Sequence, residues 1–166
     1  EMWFGTDPLG RDIFSRAISG GRISLTVGVA VAGVSVFIGL FLGLLAGYIR
    51  LLDAIIMRVM DGLMAIPGIL LAIALISLSG ATILTVIVAI TIPEIPRVVR
   101  LVRSVVLTVR EEAYVEAAIA AGTKLPSIMI RHILPNTIAP LIVQATYVCA
   151  SAMLTESILG FLGAGI

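Results

Sequence analysis

Charged residues divide this chain into apolar runs. None occurs between Arg22 and Arg50, between Asp61 and Glu94, or between His132 and Glu156. A helix needs about 20 apolar residues to cross the hydrocarbon core of a bilayer. The first and third runs each hold one crossing. The middle run is split by the turn-forming stretch Ser77-Leu-Ser-Gly-Ala-Thr82, and each half extends into a flank with few charges. The pattern predicts an all-α membrane protein with four membrane helices, at 23–49, 54–79, 82–103 and 135–157. Two segments stay outside this scheme: a polar, turn-rich stretch at 1–22 and a loop at 104–134.

Details within the runs refine the picture. Gly5-Thr-Asp7-Pro8-Leu-Gly10-Arg11-Asp12 reads as a surface turn with an Asp–Arg pair, followed by a short amphipathic helix through Ile13 and Arg16. In the first span Gly39, Gly43 and Gly47 stand four apart, with Gly28 and Ala32 extending the stripe. That spacing puts a flat surface on one helical face, where another backbone can approach closely. The second span opens amphipathically at Met57-Arg58-Val-Met-Asp61, and Pro67-Gly68 predicts a kink near Ala65–Gly68. Pro93 and Pro96 bend or loosen the third span, and Pro140 falls in the first turns of the fourth. Arg58 with Asp61, and Glu94 with Arg97, have the i,i+3 spacing of structural pairs. Glu94 is also a candidate pathway residue, because ionisable groups at membrane depth are rare.

Charge gives an orientation. The stretch from Arg97 through Arg131 holds six Lys and Arg, whereas the first segment holds Arg11, Arg16 and Arg22. By the positive-inside rule the 104–134 loop is cytoplasmic and residues 1–22 are extracytoplasmic. Composition agrees with a membrane protein, at 60% hydrophobic and 13% charged, with mean hydropathy +1.18. A net charge of +1 gives no basic face for nucleic acid. The single Cys149 excludes an intrachain disulfide. The opening Glu1-Met-Trp-Phe-Gly5 lacks a basic region followed by an apolar core, so no cleavable signal is expected. The ends, including Gly163-Ala-Gly-Ile166, read as cut.

The loop carries the chemistry. Residues 111–121 are good helix formers with acids in the first turn, and Gly122 stands where a left-handed cap would stop the helix. Thr123 is placed to cap a second short helix from Pro126 to Arg131. Ala113, Ala117 and Ala121 lie four apart and give a smooth face. A plain connector would be alanine-rich too. However, Glu112 and Glu116 are like charges at i,i+4, costing a few tenths of a kcal/mol in isolation, and a connector has no reason to keep them. A helix inserted among basic or donor groups does.

Glu116-Ala117-Ala118, then Gly122, and nine residues later His132-Ile-Leu134-Pro135, resemble the cytoplasmic coupling segment of binding-protein-dependent ABC importer permeases. His132 stands at that pattern's usual Ile position. The resemblance implies an ATPase-docking role for Glu112, Glu116, Ala117, Ala118, Gly122, Leu134 and Pro135. It further implies cytoplasmic ATP-binding subunits that use the ATP, a second homologous permease subunit and an extracytoplasmic substrate-binding protein as partners. The location implied is a bacterial or archaeal cytoplasmic (inner) membrane, with the chain multi-pass.

Gly5-Thr6-Asp7-Pro8-Leu9-Gly10-Arg11-Asp12-Ile13-Phe14-Ser15-Arg16, Gly21-Arg22-Ile23-Ser24-Leu25 and Thr155-Glu156-Ser-Ile-Leu-Gly160-Phe161-Leu162-Gly163 resemble the C-type permease subunit of dipeptide, oligopeptide and nickel importers. That family has six spans, of which this chain would supply the middle four. The expected function is part of a translocation path for di- or oligopeptides, or alternatively for nickel. A single histidine favours peptides. An ion-coupled secondary transporter, with helices broken at Pro67, Pro93 and Pro96, is an alternative of another class, although it needs no docking segment. An enzyme is disfavoured. There is no nucleophile–base pair, no set of metal ligands and no Gly-x-x-x-x-Gly-Lys-Ser/Thr loop, so no catalytic, metal or cofactor residue is assigned within this chain.

Overall fold

The computed structural model describes residues 4–163. The outermost residues of both ends read above, 1–3 and 164–166, lie outside the described part. The elements are α1 (Ile13–Tyr48), α2 (Arg50–Met64), α3 (Gly68–Ser79), α4 (Ile83–Val109), α5 (Ala113–Ala120), α6 (Leu125–Ile128), a π-helical turn (Met129–Ile133) and α7 (Leu134–Phe161). Among the described residues the only β feature is an isolated bridge between Thr6 and Asp12.

That bridge closes the first turn, where the Asp7 carboxylate accepts from the backbone N–H groups of Leu9 and Arg11, both at 2.9 Å, and from Arg16 Nη1 at 3.0 Å. The Arg11 N–H, with the Leu9 N–H and the Arg16 charge, holds the Asp7 carboxyl below its ordinary range. Asp12 then caps α1 by accepting from Phe14 and Ser15. With its N-terminus capped and no proline between Ile13 and Tyr48, α1 runs 36 residues without interruption. The short helix expected near Ile13–Arg16 and the span expected at 23–49 are therefore one element. Gly20 and Gly21, exposed and touching nothing, do not break it.

The glycine stripe decides how α1 packs. A methyl group at Gly39, Gly43 or Gly47 would lie 2.5–2.6 Å from the Cβ of Val98, Val102 or Val106 respectively. Both residue numbers rise together, so α1 and α4 run parallel and in close backbone contact. At one end Ile83 lies beside Arg22, Ile23 and Thr26; at the other, Arg110 Nη1 donates to the Gly47 carbonyl at 3.2 Å. α7 runs the opposite way. Gly28 abuts Met153 and Cys149, and Ser24 Oγ donates to Glu156 at 2.7 Å.

Parallel packing of α1 and α4 obliges the chain between them to return along the bundle. It does so in two pieces. The single kinked span expected at 54–79 is instead α2 and α3, bent by 82°. Pro67 lacks an N–H, and its ring disfavours helical geometry at the preceding residue; with φ −56° and ψ 125° it stands outside both helices. α2 is pinned to α4 by Asp53–Arg103 and Asp61–Arg100. Asp61 therefore pairs across helices, and not with Arg58 as the i,i+3 spacing suggested. Gly80, at φ +84°, ends α3, and Thr82 caps α4 in a reciprocal arrangement with Thr85.

α4 continues beyond 103 to Val109, passing through Pro93 and Pro96. The fourth expected span also grows. α6, the π turn and α7 form one 37-residue rod, Leu125–Phe161, so the second short helix of the loop is joined to the span. Lys124, and not Thr123, occupies the cap position of α6, without a side-chain bond. Pro135 explains the π turn. It brings no N–H and crowds the Arg131 carbonyl, and the helix widens so that the Leu134 N–H bonds Met129.

α1 and the Leu125–Phe161 rod are long and apolar enough to cross a membrane, and the bent pair makes a third span if counted as one. α4 has the length, 27 residues, but carries Glu94, Arg97, Arg100 and Arg103. Small side chains fill the interior, chiefly Val27, Val31, Val86, Val98, Val102, Val106 and Val148. Large ones face outward: Phe37, Phe41, Leu78, Ile142, Leu154 and Phe161 are exposed. This arrangement suits hydrocarbon surroundings better than water.

Candidate functional site

Two places combine exposed or buried polarity with defined geometry. The first is α5. Its Val115 is fully buried and joins the core cluster together with Ile128 and Ile133. An apolar anchor thus holds an eight-residue helix most of whose remaining surface is exposed. Ala113, Ala117 and Ala121 are all exposed, as are Glu112 and Glu116, while Ala118 is half-buried. Among the described residues neither glutamate takes part in an ion pair. Glu112 occupies the helix cap position without a side-chain cap bond.

The helix stops at Gly122, whose φ is +77°. The Thr123 N–H bonds the Ala118 carbonyl at 3.0 Å and the Gly122 N–H bonds that of Ile119 at 2.9 Å. This is the double bond pattern of a left-handed glycine cap, which side-chain-bearing residues enter only with strain. A groove of about 350 Å³ opens beside α5, lined by Tyr48, Arg110, Glu111, Glu116 and Ile119.

Leu134 and Pro135 do not share the α5 surface. They sit past the π turn at the start of α7 and shape the rod. A tether that sequence reasoning did not find links the two parts. Asn136 Nδ2 donates to the Tyr114 hydroxyl at 3.1 Å and to the His132 carbonyl at 2.7 Å. The Tyr114 and His132 rings lie 5.9 Å apart. The packing contact an isoleucine would make at position 132 is replaced by an aromatic one. The i,i+4 spacing of His132 and Asn136 was visible, but nothing in it pointed to Tyr114.

The second place surrounds Glu94. This residue is 6% exposed. Its Oε1 accepts from Arg97 Nη1 at 2.9 Å and from Ser151 Oγ at 3.2 Å, and its Oε2 is buried without a partner among the described residues. It lines a cavity of about 310 Å³ at the break between α2 and α3, together with Pro67, Gly68, Arg97, Ser151 and Thr155. The pairing with Arg97 follows from spacing; Ser151 and Thr155, on α7, could come only from the fold.

Residues 35–166 match the family described as binding-protein-dependent transport system inner membrane component. The chain belongs to this family. It is 61% identical, over its full length, to a probable peptide ABC transporter permease protein of Sinorhizobium fredii, covering 57% of that relative. It is 49% identical over 99% of its length to the dipeptide transport system permease protein DppC of Alkalihalophilus pseudofirmus, covering 55% of it. A glutathione transport system permease protein, GsiD of Pectobacterium atrosepticum, is 44% identical over 98% of the chain and covered to 54%. The chain thus spans little more than half the length of these relatives. It is a membrane protein of all-helical architecture, as the family and the two long apolar helices both require.

Proposed function

We propose that this chain is the core of a permease subunit in an ABC importer of the bacterial or archaeal inner membrane, that its cargo is peptide, and that α5 docks a separate cytoplasmic ATPase. One observation carries the docking role: α5 presents an alanine face and two glutamates unpaired among the described residues, while Val115, the tether from Tyr114 to Asn136, and the Gly122 cap fix it to the body. A helix held in this way transmits displacement, whereas a mobile loop would absorb it. The 37-residue rod supports the same reading, because it runs without a break from beside α5 through the bundle. Peptide cargo is supported by the names of the relatives.

In this reading the bundle is multi-pass, with four crossings. α1, the α2–α3 pair, α4 and α7 alternate in direction, and the basic end of α4 together with α5 lies in the cytoplasm. The second permease subunit completes the path, a substrate-binding protein delivers cargo from outside, and ATP is hydrolysed by the docked partner alone. Docking is tested in the complete transporter, reconstituted with its ATPase subunits and binding protein in proteoliposomes. Glu116→Lys and Gly122→Leu should each lower peptide uptake per ATP hydrolysed by at least about tenfold, equivalent to about 1.4 kcal/mol of lost coupling. The permease should remain in the membrane. An unchanged uptake-to-hydrolysis ratio in both variants would remove the docking role.

A further inference from the structure

The cavity around Glu94 has a position, a polarity and an unpartnered acceptor that the coupling role does not use. Its depth follows from the helix levels. Ile83 lies at the outer end of the bundle beside Thr26, and Glu94 is eleven residues further along α4, about 17 Å at helical rise. That is close to the middle of a hydrocarbon core about 30 Å thick. α3 reaches the same depth from the same end. Its 12 residues cover about 18 Å, and Gly68 at its start lies against Pro93. A half-helix therefore begins at mid-bundle next to a buried carboxylate.

The two sides of this cavity have opposite polarity. Glu94 Oε2 is an acceptor with no donor among the described residues, on a residue 6% exposed. Leaving a buried acceptor empty costs about 1–3 kcal/mol, more for a charged group. Opposite needs are met close by. Arg97 gives one N–H to Glu94 and is otherwise 45% exposed. The N-terminus of α3 has no side-chain cap, and its free N–H groups favour an anion. Because Glu94 and Arg97 cancel in charge, the cavity has no net pull on a simple cation; it suits a molecule carrying both signs.

We propose that this cavity binds the free terminal ammonium group of a transported peptide, which donates to Glu94 Oε2, while the Arg97 side and the α3 N-terminus receive its carboxylate end. The volume of about 310 Å³ fits a small ligand. Ser151 and Thr155, whose side chains line the wall, orient it. This rests on the peptide-importer reading above and adds the group that is recognised.

The test uses the complete transporter in proteoliposomes with ATP inside, and two probes at concentrations where the wild type accumulates each: alanyl-alanine and N-acetyl-alanyl-alanine. Uptake is expressed relative to wild type for each probe, so the binding protein's own preference cancels. Glu94→Gln should lower alanyl-alanine uptake by at least about tenfold, the effect of one charged hydrogen bond, and change uptake of the acetylated probe by less than about twofold. Equal loss of both, or loss of neither, overturns the proposal while leaving the importer reading intact. Should Oε2 instead take a lysine or arginine of the second permease subunit, Glu94→Gln would lower the yield of assembled complex without altering selectivity, which also overturns it. Thr155→Leu keeps both charges and fills the cavity from a half-buried wall position outside the packed core; alanyl-alanine uptake unchanged by this variant sinks the proposal even where Glu94→Gln fails to assemble. A wild-type complex that hydrolyses ATP yet accumulates neither probe overturns both the cavity proposal and the peptide reading.

Discussion

Gly43 is the residue on which the packing of α1 and α4 is most exposed to test. A Cβ there would lie 2.6 Å from the Val102 Cβ and 3.0 Å from the Val99 carbonyl, distances that no rotamer change relieves, because one contact is backbone. Overpacking of this kind costs about 1–3 kcal/mol. Gly43→Ala should therefore lower the thermal midpoint of the purified protein in detergent, and Gly43→Leu should lower the yield of assembled complex. Adding Val102→Ala to Gly43→Ala should recover little of the loss, because it removes the Cγ1 at 2.8 Å but leaves the Val102 Cβ and the Val99 carbonyl in place. Equal midpoints for wild type and Gly43→Ala would show that the helices stand further apart. The stripe itself was legible in the sequence, since glycines four apart define a face. Its partner was not. Val98, Val102 and Val106 form a matching row, yet a chain this rich in valine offers many such rows, and spacing within one helix says nothing about which neighbour it meets. For the same reason the Glu94–Arg97 pair could be read from spacing, while the orphaned Oε2 and the α7 hydroxyls around it could not.

At the scale of elements, the sequence showed where helices must lie more reliably than where they begin, end or break. α1 and α4 both outrun their apolar runs, because backbone hydrogen bonding and good caps continue a helix after hydropathy has dropped. Pro67 and Pro135 were both visible as perturbations, and their consequences differ for a physical reason. Pro67 opens a true break of 82° because Pro67 itself takes an extended backbone and α2 has other partners on α4. Pro135 costs only a π turn, because Ile128 just before that turn and Ile133 at its end are buried in the same core and hold the rod on one axis. The partners of α2 lead to a differential prediction. Asp53–Arg103 is bidentate, with the second contact at 2.6 Å, and its side chains are 22% and 30% exposed. Asp61–Arg100 is 57% and 44% exposed. Double-mutant cycles to alanine, read by thermal unfolding in detergent, should give a coupling of about 1 kcal/mol for the first pair and close to zero for the second. Equal couplings would place the second pair in a less watery setting than its exposure implies.

For the molecule as a whole, the parallel alignment of α1 with α4 is the fact that fixes the path of the chain. Hydropathy placed two crossings around the middle run, and by length and composition the α2–α3 pair could be either a broken span or a re-entrant loop. A re-entrant loop returns the chain to the face it left, so the next helix would have to run antiparallel to α1. With α1 and α4 both crossing, as proposed above, the row of contacts from Gly39–Val98 to Gly47–Val106 has α2–α3 carry the chain back once. The levels then agree across the bundle: Ser24, Ile83 and Glu156 mark one end, and Tyr48, Arg110 and Asn136 the other. From Thr26 to Gly47 is 21 residues, about 32 Å, which matches a hydrocarbon core of about 30 Å. Single cysteines placed in a Cys149→Ser background should follow these levels. Leu9→Cys should react with a membrane-impermeant maleimide in intact cells, and Ala120→Cys only after permeabilisation. Gly62→Cys, on the exposed side of α2, should share the behaviour of Ala120→Cys, because α2 precedes the return that α3 completes. If Gly62→Cys and Leu9→Cys were both labelled from outside while Ala120→Cys was not, α1 would not cross, and the parallel pair could not be embedded as two spans.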